Sequence, residues 1–309
     1  MNMSTSQVRV IDPILTNHSR GYSQSIFIGD SLLPVADMAT RAAKRIEFGR
    51  DSFRRYKIKR APGAQIAQVS FGYEGKPVAL HQHALAAVTP VEHQEEAQEV
   101  PGIDLLSTNI DTVLAVIALE KEIQQAEAAR NPAIYANSNK LALIAAAKWS
   151  DPASDPAKAV SDAKEIIRAR TGRRPNVLAL GAKVAATLKL HPKVLDKFKY
   201  TNSDTISDAM LASYFDVKNV LVGDAIVDDD AGNTSDVWGN DAILAFVPDG
   251  GTSNINIPAF GYTYRLRGYP FVKPAYYERS VNSWLNDVFD EWSPEVVGPD
   301  AGFLFQNCI

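Results

Sequence analysis

The sequence has 309 residues with a net charge of −4, of which 46% are hydrophobic and 22% charged. This composition is typical of a soluble globular protein with one large or two smaller domains, and it excludes a disordered, collagen-like or coiled-coil chain. The single cysteine, Cys308, excludes an intramolecular disulfide and a thiolate zinc site. We find no signal-peptide pattern and no apolar run of about 18 residues, so we expect a soluble intracellular protein without membrane contact.

Charge is unevenly distributed along the chain. Residues 41–60 contain nine Lys or Arg residues and two acids, a local charge of +7. Residues 77–120 contain seven acids and no base, and the chain after Arg279 carries only acids. This segregation predicts that a basic segment of one copy contacts an acidic face of the next. Nucleic-acid binding by the basic stretch is the alternative, but such domains are usually basic overall.

The first 90 residues predict an arm followed by a hairpin. Residues 1–35 show no sustained period and are broken by proline and glycine, so we expect an extended arm with little core. Alternating apolar residues then predict strands around residues 56–58 and 66–73, joined at Pro62-Gly63 and ended by a turn at residues 75–77. Such a hairpin buries little surface alone and needs a partner.

A helix and an α/β unit follow. Apolar residues spaced by three and four predict a helix over residues 103–129, about 40 Å long. Residues 155–250 alternate between helical and strand patterns, and the first helix there has an acidic cap, Asp155, and a proline at its first position. Tyr262 onwards predicts long strands again, and the C-terminus ends in an aromatic stretch.

No motif for catalysis or cofactor binding is present: the sequence lacks a P-loop, a dinucleotide glycine fingerprint, a nucleophile elbow and a zinc-protease helix. His81 and His83, with His93 nearby, leave a metal site open, but the neighbouring acids are more simply a solvated face. Residues 228–230 resemble half of a calcium loop without its closing glutamate, which favours an exposed turn. We therefore assign no catalytic, cofactor or metal residue and expect Cys308 to be inert.

Several short motifs occur in an order that resembles one known family. They are Phe27-Ile28-Gly29-Asp30, Trp149-Ser150-Asp151-Pro152, Thr171-Gly172 with Pro175-Asn176-Val177-Leu178, His191-Pro192, Trp238-Gly239 and Gly302-Phe303-Leu304. Together, over residues 22–306, they resemble the major capsid proteins of tailed bacteriophages, which have the HK-ninety-seven-like fold. No single motif is diagnostic, and the assignment depends on their shared order.

The resemblance implies an α+β fold with four named parts. These are an N-terminal arm (1–48), an E-loop hairpin (49–92), a P-domain with a long spine helix (93–150, helix about 103–129) and an α/β A-domain (151–260), followed by return strands to the P-domain (261–309). It also implies a non-enzymatic structural protein that assembles in the host cytoplasm as hexamers and pentamers into the icosahedral virion shell around double-stranded DNA. Implied partners are further copies, separate scaffold and portal proteins, packaged DNA contacted without sequence specificity, and in some relatives a decoration protein.

We predict which residues make the contacts between copies. The basic hairpin of one subunit should lie over an acidic region of its neighbour, either residues 92–99 or the acidic C-terminal part. The candidate contact residues are Arg50, Arg54, Arg55, Lys57, Lys59, Arg60, Tyr73, Glu92, Glu95, Glu96 and Glu99.

Two other functions remain open at this stage. An encapsulin-type nanocompartment shares the fold but encloses cargo enzymes instead of DNA. An α/β hydrolase-like enzyme could be built on residues 155–250, although the expected strand ends offer Lys183 and the acids 228–230 without a matching nucleophile or base.

Overall fold

The computed structural model describes residues 27–47, 59, 74–98, 105–199, 205–229, 231–248 and 259–309. Within these ranges the strands form a six-stranded sheet, a five-stranded sheet and two two-stranded ribbons. The helices are α1 (Gly29–Leu32), α2 (Val91–Gln98), α3 (Leu105–Arg130), α4 (Pro156–Thr171), α5 (Ala182–Lys189), α6 (Pro192–Phe198) and α7 (Asp208–Phe215). The strands are β1 (Val35–Met38), β2 (Ala42–Glu47), β3 (Glu74–Ala79), β4 (His81–Pro90), β5 (Lys140–Ala142), β6 (Val177–Gly181), β7 (Asn219–Gly223), β8 (Ile226–Asp228), β9 (Thr234–Asp236), β10 (Ala242–Ala245), β11 (Gly261–Leu266), β12 (Phe271–Val272), β13 (Tyr276–Glu278), β14 (Ser283–Val296) and β15 (Gly302–Gln306).

The six-stranded sheet is organised around β14, its longest strand. One edge of β14 pairs antiparallel with β11, β12 and β13. The other edge pairs antiparallel with the whole of β4. Helix α3 packs against β4 and β14, where Ile110, Leu114 and Ile117 join Val288 and Trp292 in one apolar cluster. With 26 residues, α3 is about 39 Å long, which confirms the predicted long helix from residue 105 onwards.

The five-stranded sheet has the order β5-β15-β10-β6-β7. Helices α4, α5 and α7 cover one of its faces, and Trp238, Phe260 and residues from α1 and α3 cover the other. Local signals position α4 as predicted, because the Asp155 carboxylate accepts a hydrogen bond from the Lys158 N–H and Gly172 ends the helix with φ 68°. Each fully buried aliphatic or aromatic side chain in these layers contributes about 1.5–3 kcal/mol.

The segment before β1 differs from the predicted arm. Ile28, Leu32 and Leu33 are buried in the second cluster of the five-stranded sheet, and β1 pairs in parallel with β11. The expectation of an extended arm is therefore wrong for residues 27–35, the described part of it, which includes a short helix and packs against the rest of the chain. Its few apolar residues fill a space between α3 and the two sheets, which a local pattern cannot reveal. Residues 1–26 lie outside the described residues.

A two-stranded ribbon lies at the base of the predicted hairpin. Strands β2 and β3 pair antiparallel from Ala42 opposite Ala79 to Glu47 opposite Glu74. The predicted turn at residues 75–77 is wrong, since these residues belong to β3. Pro77 is tolerated there because β3 pairs only with β2 among the described strands. The predicted strands at residues 56–58 and 66–73 lie outside the described residues.

The C-terminal strand β15 pairs with β10 and β5 in the five-stranded sheet, although the sequence grouping placed it with the strands that return to the P-domain. Phe303, Leu304 and Phe305 are all buried, and a strand covered on both faces suits the interior of this sheet.

Among the described residues, none of the helices has the length and apolar character needed to span a membrane.

Candidate subunit-contact surfaces

The hairpin stem, defined as β2 and β3, holds both ends of the basic segment 48–73. The Leu80 N–H donates to the Arg41 carbonyl at 2.9 Å below the stem. Lys59 is described and exposed. The other predicted contact residues of this segment lie outside the described residues: Arg50, Arg54, Arg55, Lys57, Arg60 and Tyr73.

An ion pair that sequence reasoning missed fixes the base of the stem. The Arg41 guanidinium donates from Nε and Nη2 to the two carboxylate oxygens of Glu291, each at 2.8 Å, and the Tyr269 hydroxyl donates to the same carboxylate at 2.7 Å. Glu291 is buried on β14, and its hydrogen bond to Arg41 raises the pKa of that guanidinium above its ordinary value. Arg41 thus anchors the stem to β14 of the same chain, and no local pattern separates it from the other bases of its stretch.

The acidic candidates Glu92, Glu95 and Glu96 lie on α2, directly after β4. Glu92 and Glu95 are exposed, and Glu92 accepts a hydrogen bond from the Asn282 amide at 2.7 Å. Glu96 belongs to the same helix, but its side chain lies outside the described residues, as does the whole of Glu99. The structure therefore places two acidic side chains, Glu92 and Glu95, on one exposed helix.

Strand β4, next to α2, is an edge strand. Its outer edge pairs with no other strand in the described part of the chain. Leu85 and Val88 are 42% and 50% exposed, and Tyr276 is 43% exposed in the same cross-strand row as Val88. An edge without lysines or an internal proline is open to pairing with a further strand.

The acidic C-terminal part is not a free acidic face. Four of its five carboxylates form ion pairs with bases from other parts of the chain, which argues against this alternative for the acidic contact. The ion pairs are Lys273–Asp287, Arg265–Asp290, Arg41–Glu291 and Arg170–Asp300.

His83, one of the three histidines considered for metal binding, packs against β14 and α3. His83 stacks on Trp292 with ring centroids 3.7 Å apart, and its Nε2 lies 3.0 Å from the Gln124 amide nitrogen. Burial lowers the pKa of His83. Nowhere in the described ranges do three His, Cys, Asp or Glu residues cluster as a metal site would require.

Two residues considered for a calcium site and for an enzyme, Asp229 and Lys183, also make structural contacts. Asp229 closes the β8–β9 turn by accepting the N–H groups of Ala231 and Asn233, at 2.9 and 2.8 Å. Lys183, the base considered for an enzyme, pairs with Asp236 at 2.7 Å.

Comparison with known proteins decides the family. A family model described as phage major capsid protein E matches residues 85–285, well over half of the chain. The chain belongs to this family. The major capsid protein of Burkholderia phage BcepMu is 35% identical over 306 residues, which cover 98% of this chain and 98% of that protein.

Solved structures agree with this family at the level of the fold. The crystal structure of a phage-related protein from Bordetella bronchiseptica RB50 has a TM-score of 0.84 and 41% identity, covering 98% of each chain. The capsid structure of cyanophage P-SCSP1u has a TM-score of 0.59 at 10% identity, covering 99% of this chain and 92% of that one. The predicted α+β, HK-ninety-seven-like fold is confirmed, and the function is that of a phage major capsid protein, a structural component of the virion capsid.

Proposed function

We propose that this capsid protein self-assembles as hexamers and pentamers into the icosahedral head of a tailed phage, enclosing its double-stranded DNA. The observation that carries the proposal is the 35% identity to a phage major capsid protein across almost the full length of both chains. This likeness favours a phage head over an encapsulin-type compartment or a hydrolase. Assembly would occur in the host cytoplasm, with separate scaffold and portal proteins, a decoration protein where one exists, and non-specific contact with DNA.

The proposed division of the chain follows the sequence boundaries given above, from N-terminal arm to A-domain. The β2–β3 stem is evidence for the proposed E-loop hairpin, because it brings Glu47 and Glu74 opposite each other at the two ends of segment 48–73. Helix α3 supports the spine helix of the P-domain, since it runs along β4 and β14.

The proposed contact between copies joins the basic segment 48–73 of one subunit to α2 of the next. Glu92 and Glu95 are its acidic side because both are exposed and neither forms an ion pair among the described residues. Glu96 and Glu99 would extend this surface. The unpaired edge of β4 lies directly before α2 and would add apolar contact at Leu85 and Val88.

Size-exclusion chromatography followed by negative-stain electron microscopy tests assembly itself. Regular hollow shells or five- and six-membered rings are expected, and a clean monomer at low and high salt, also after coexpression with a scaffold, would contradict the proposal. Assembly should strengthen as ionic strength falls, because exposed charges are screened within about 10 Å at 0.1 M salt.

Charge reversal tests the contact. We expect Arg54→Glu with Arg55→Glu to reduce particle yield, and added Glu92→Lys with Glu95→Lys to restore part of it. Arg173→Glu, an exposed base stacked over Phe246, is the matched control and should assemble normally. If yield is indifferent to salt and to reversal at Arg54 and Arg55, the contact is wrong although the capsid function stands.

A further inference from the structure

A buried polar cluster lies where α1, α3, the turn between β9 and β10, and β11 meet. Its central side chains are Glu122 and Gln125 on α3, which are 1% and 0% exposed. The partners around them are Ile28, Gly29 and Asp30 from the N-terminal segment, Trp238 from the turn, and Thr263 from β11. We call this group the junction cluster, since it ties the N-terminal segment to both sheets.

The orientation of the Gln125 amide is fixed by its neighbours. Its Nε2 donates to Asp30 Oδ1 at 2.8 Å and to Thr263 Oγ1 at 2.7 Å, and the Thr263 hydroxyl donates in turn to the Leu33 carbonyl at 3.0 Å. A carboxylate such as Asp30 only accepts, so turning the amide around would set two acceptors against each other. Gln125 Oε1 is left buried without a hydrogen-bond partner among the described residues, which is costly in a dry interior.

The Glu122 carboxyl lies beside this orphan acceptor. Its Oε1 accepts the Ile28 N–H at 2.9 Å and the Trp238 Nε1–H at 2.7 Å, and its Oε2 accepts the Gly29 N–H at 2.9 Å. A Cβ on Gly29 would lie 2.6 Å from Glu122 Oε2 and 2.0 Å from Gln125 Oε1, so these two oxygens are close neighbours. Both oxygens border the same space beside Gly29, so a proton on Oε2 is the donor that we consider for Gln125 Oε1.

We propose that Glu122 binds a proton on Oε2 and donates it to Gln125 Oε1, so that docking of residues 27–33 is linked to proton uptake. Protonation adds one O–H···O hydrogen bond and removes the repulsion between two facing acceptors. The Gly29 N–H can still donate to the hydroxyl oxygen, which keeps a free lone pair. This inference does not depend on the proposed contact between copies.

The electrostatics of the cluster agree with this geometry. Burial raises the pKa of Glu122, and the nearby negative charge of Asp30 adds to the effect, whereas the hydrogen bonds from Ile28, Trp238 and Gly29 oppose it. Four acids on or near the surrounding elements are paired with bases, but Glu122 has no cationic partner in the described part of the chain. The pairs are Lys121–Asp30, Lys183–Asp236, Arg130–Asp241 and Arg265–Asp290.

The sign of the pH dependence follows from linkage. When residues 27–33 undock, Glu122 returns toward its ordinary pKa near 4.5, which is below its docked value. Proton binding thus stabilises docking fully below that ordinary pKa, and this contribution is lost as pH rises through the raised docked-state pKa. Between the two values, the opening equilibrium constant of the segment should rise by up to about tenfold per pH unit.

Hydrogen–deuterium exchange of the full-length chain, measured on peptides covering residues 27–33 from pH 4 to 8 and corrected for intrinsic exchange, tests the proposal. The wild type should lose protection as pH rises through the window. Glu122→Gln should show protection that does not vary with pH, because it has no titrating proton; its overall protection should be lower, since an amide nitrogen that donates to Gln125 Oε1 cannot accept the Gly29 N–H. Glu120→Gln, an exposed substitution on the same helix, is the matched control and should behave as the wild type.

Two results would overturn the proposal. One is protection that does not change with pH in the wild type; the other is a pH dependence in Glu122→Gln equal to that of the wild type, which would mean that another group titrates. Infrared titration gives a readout on wild-type protein even if that variant folds poorly. A carboxyl that remains protonated above the ordinary range of exposed acids is expected, and its absence would contradict the assignment.

Discussion

Truncating Arg41 should destabilise the chain through the ion pair that anchors the hairpin stem. Arg41→Ala removes two charge-assisted hydrogen bonds, each 2.8 Å long, from Glu291. Such bonds contribute about 1.5–3 kcal/mol each where both partners are buried. The Glu291 side chain is 1% exposed but that of Arg41 is 61% exposed, so solvent screens the pair and can reach the vacated position. We therefore expect a loss of about 2 kcal/mol in the free energy of unfolding.

Denaturant unfolding at neutral pH measures this loss, and a second variant tests its cause. Arg41→Ala with Glu291→Gln should recover part of the stability, because no buried carboxylate is then left without its cation. Arg267→Ala removes an exposed arginine close by and is the matched control, expected within about 0.5 kcal/mol of wild type. A small effect of Arg41→Ala, or a double variant no more stable than the single one, would refute the reasoning.

Three further predictions follow from single contacts. Cys308 is buried and burial raises its pKa, so maleimide should not label the folded chain and should label it fully after denaturation. Asp155→Ala removes the cap of α4 and should cost about 1 kcal/mol in denaturant unfolding, against no change for the exposed Asp162→Ala in the same helix. Gly29→Ala would place a Cβ 2.0 Å from Gln125 Oε1, so calorimetry should show a destabilisation of about 2 kcal/mol; a neutral effect would mean that the junction cluster yields easily.

The elements predicted well from sequence are those with local signals. Helix α3 repeats its apolar positions from Ile110 to Ile117, and α4 carries its own start and stop in Asp155 and Gly172. These signals depend only on neighbouring residues, so they hold whatever the rest of the chain does. The order of short motifs identified the family by the same kind of local information.

The contacts that hold these elements together could not be predicted. Arg41 and Glu291 are 250 residues apart, and Gly29 and Glu122 are 93 apart, with no pattern to connect either pair. One signal was available: Glu122 and Gln125 are polar residues on the otherwise apolar buried side of α3. Such positions usually need a buried partner, although the sequence does not say which one.

Segregation of charge along the chain does not guarantee segregation in space. Four of the five acids after Arg279 are paired with bases from other segments, and one of these bases, Arg41, comes from the basic stretch itself. The surface left for electrostatic contact between copies is therefore smaller than the sequence indicates, and in the proposed contact its acidic side is α2. Glu92→Lys with Glu95→Lys should accordingly lower the particle yield. Added salt should then reduce the yield of this variant less than it reduces the yield of the wild type. Asp287→Asn removes an acid that already has Lys273 as its partner, so particle yield and its salt dependence should stay as in wild type. If both variants change particle yield and its salt dependence equally, α2 does not form the acidic side of the contact.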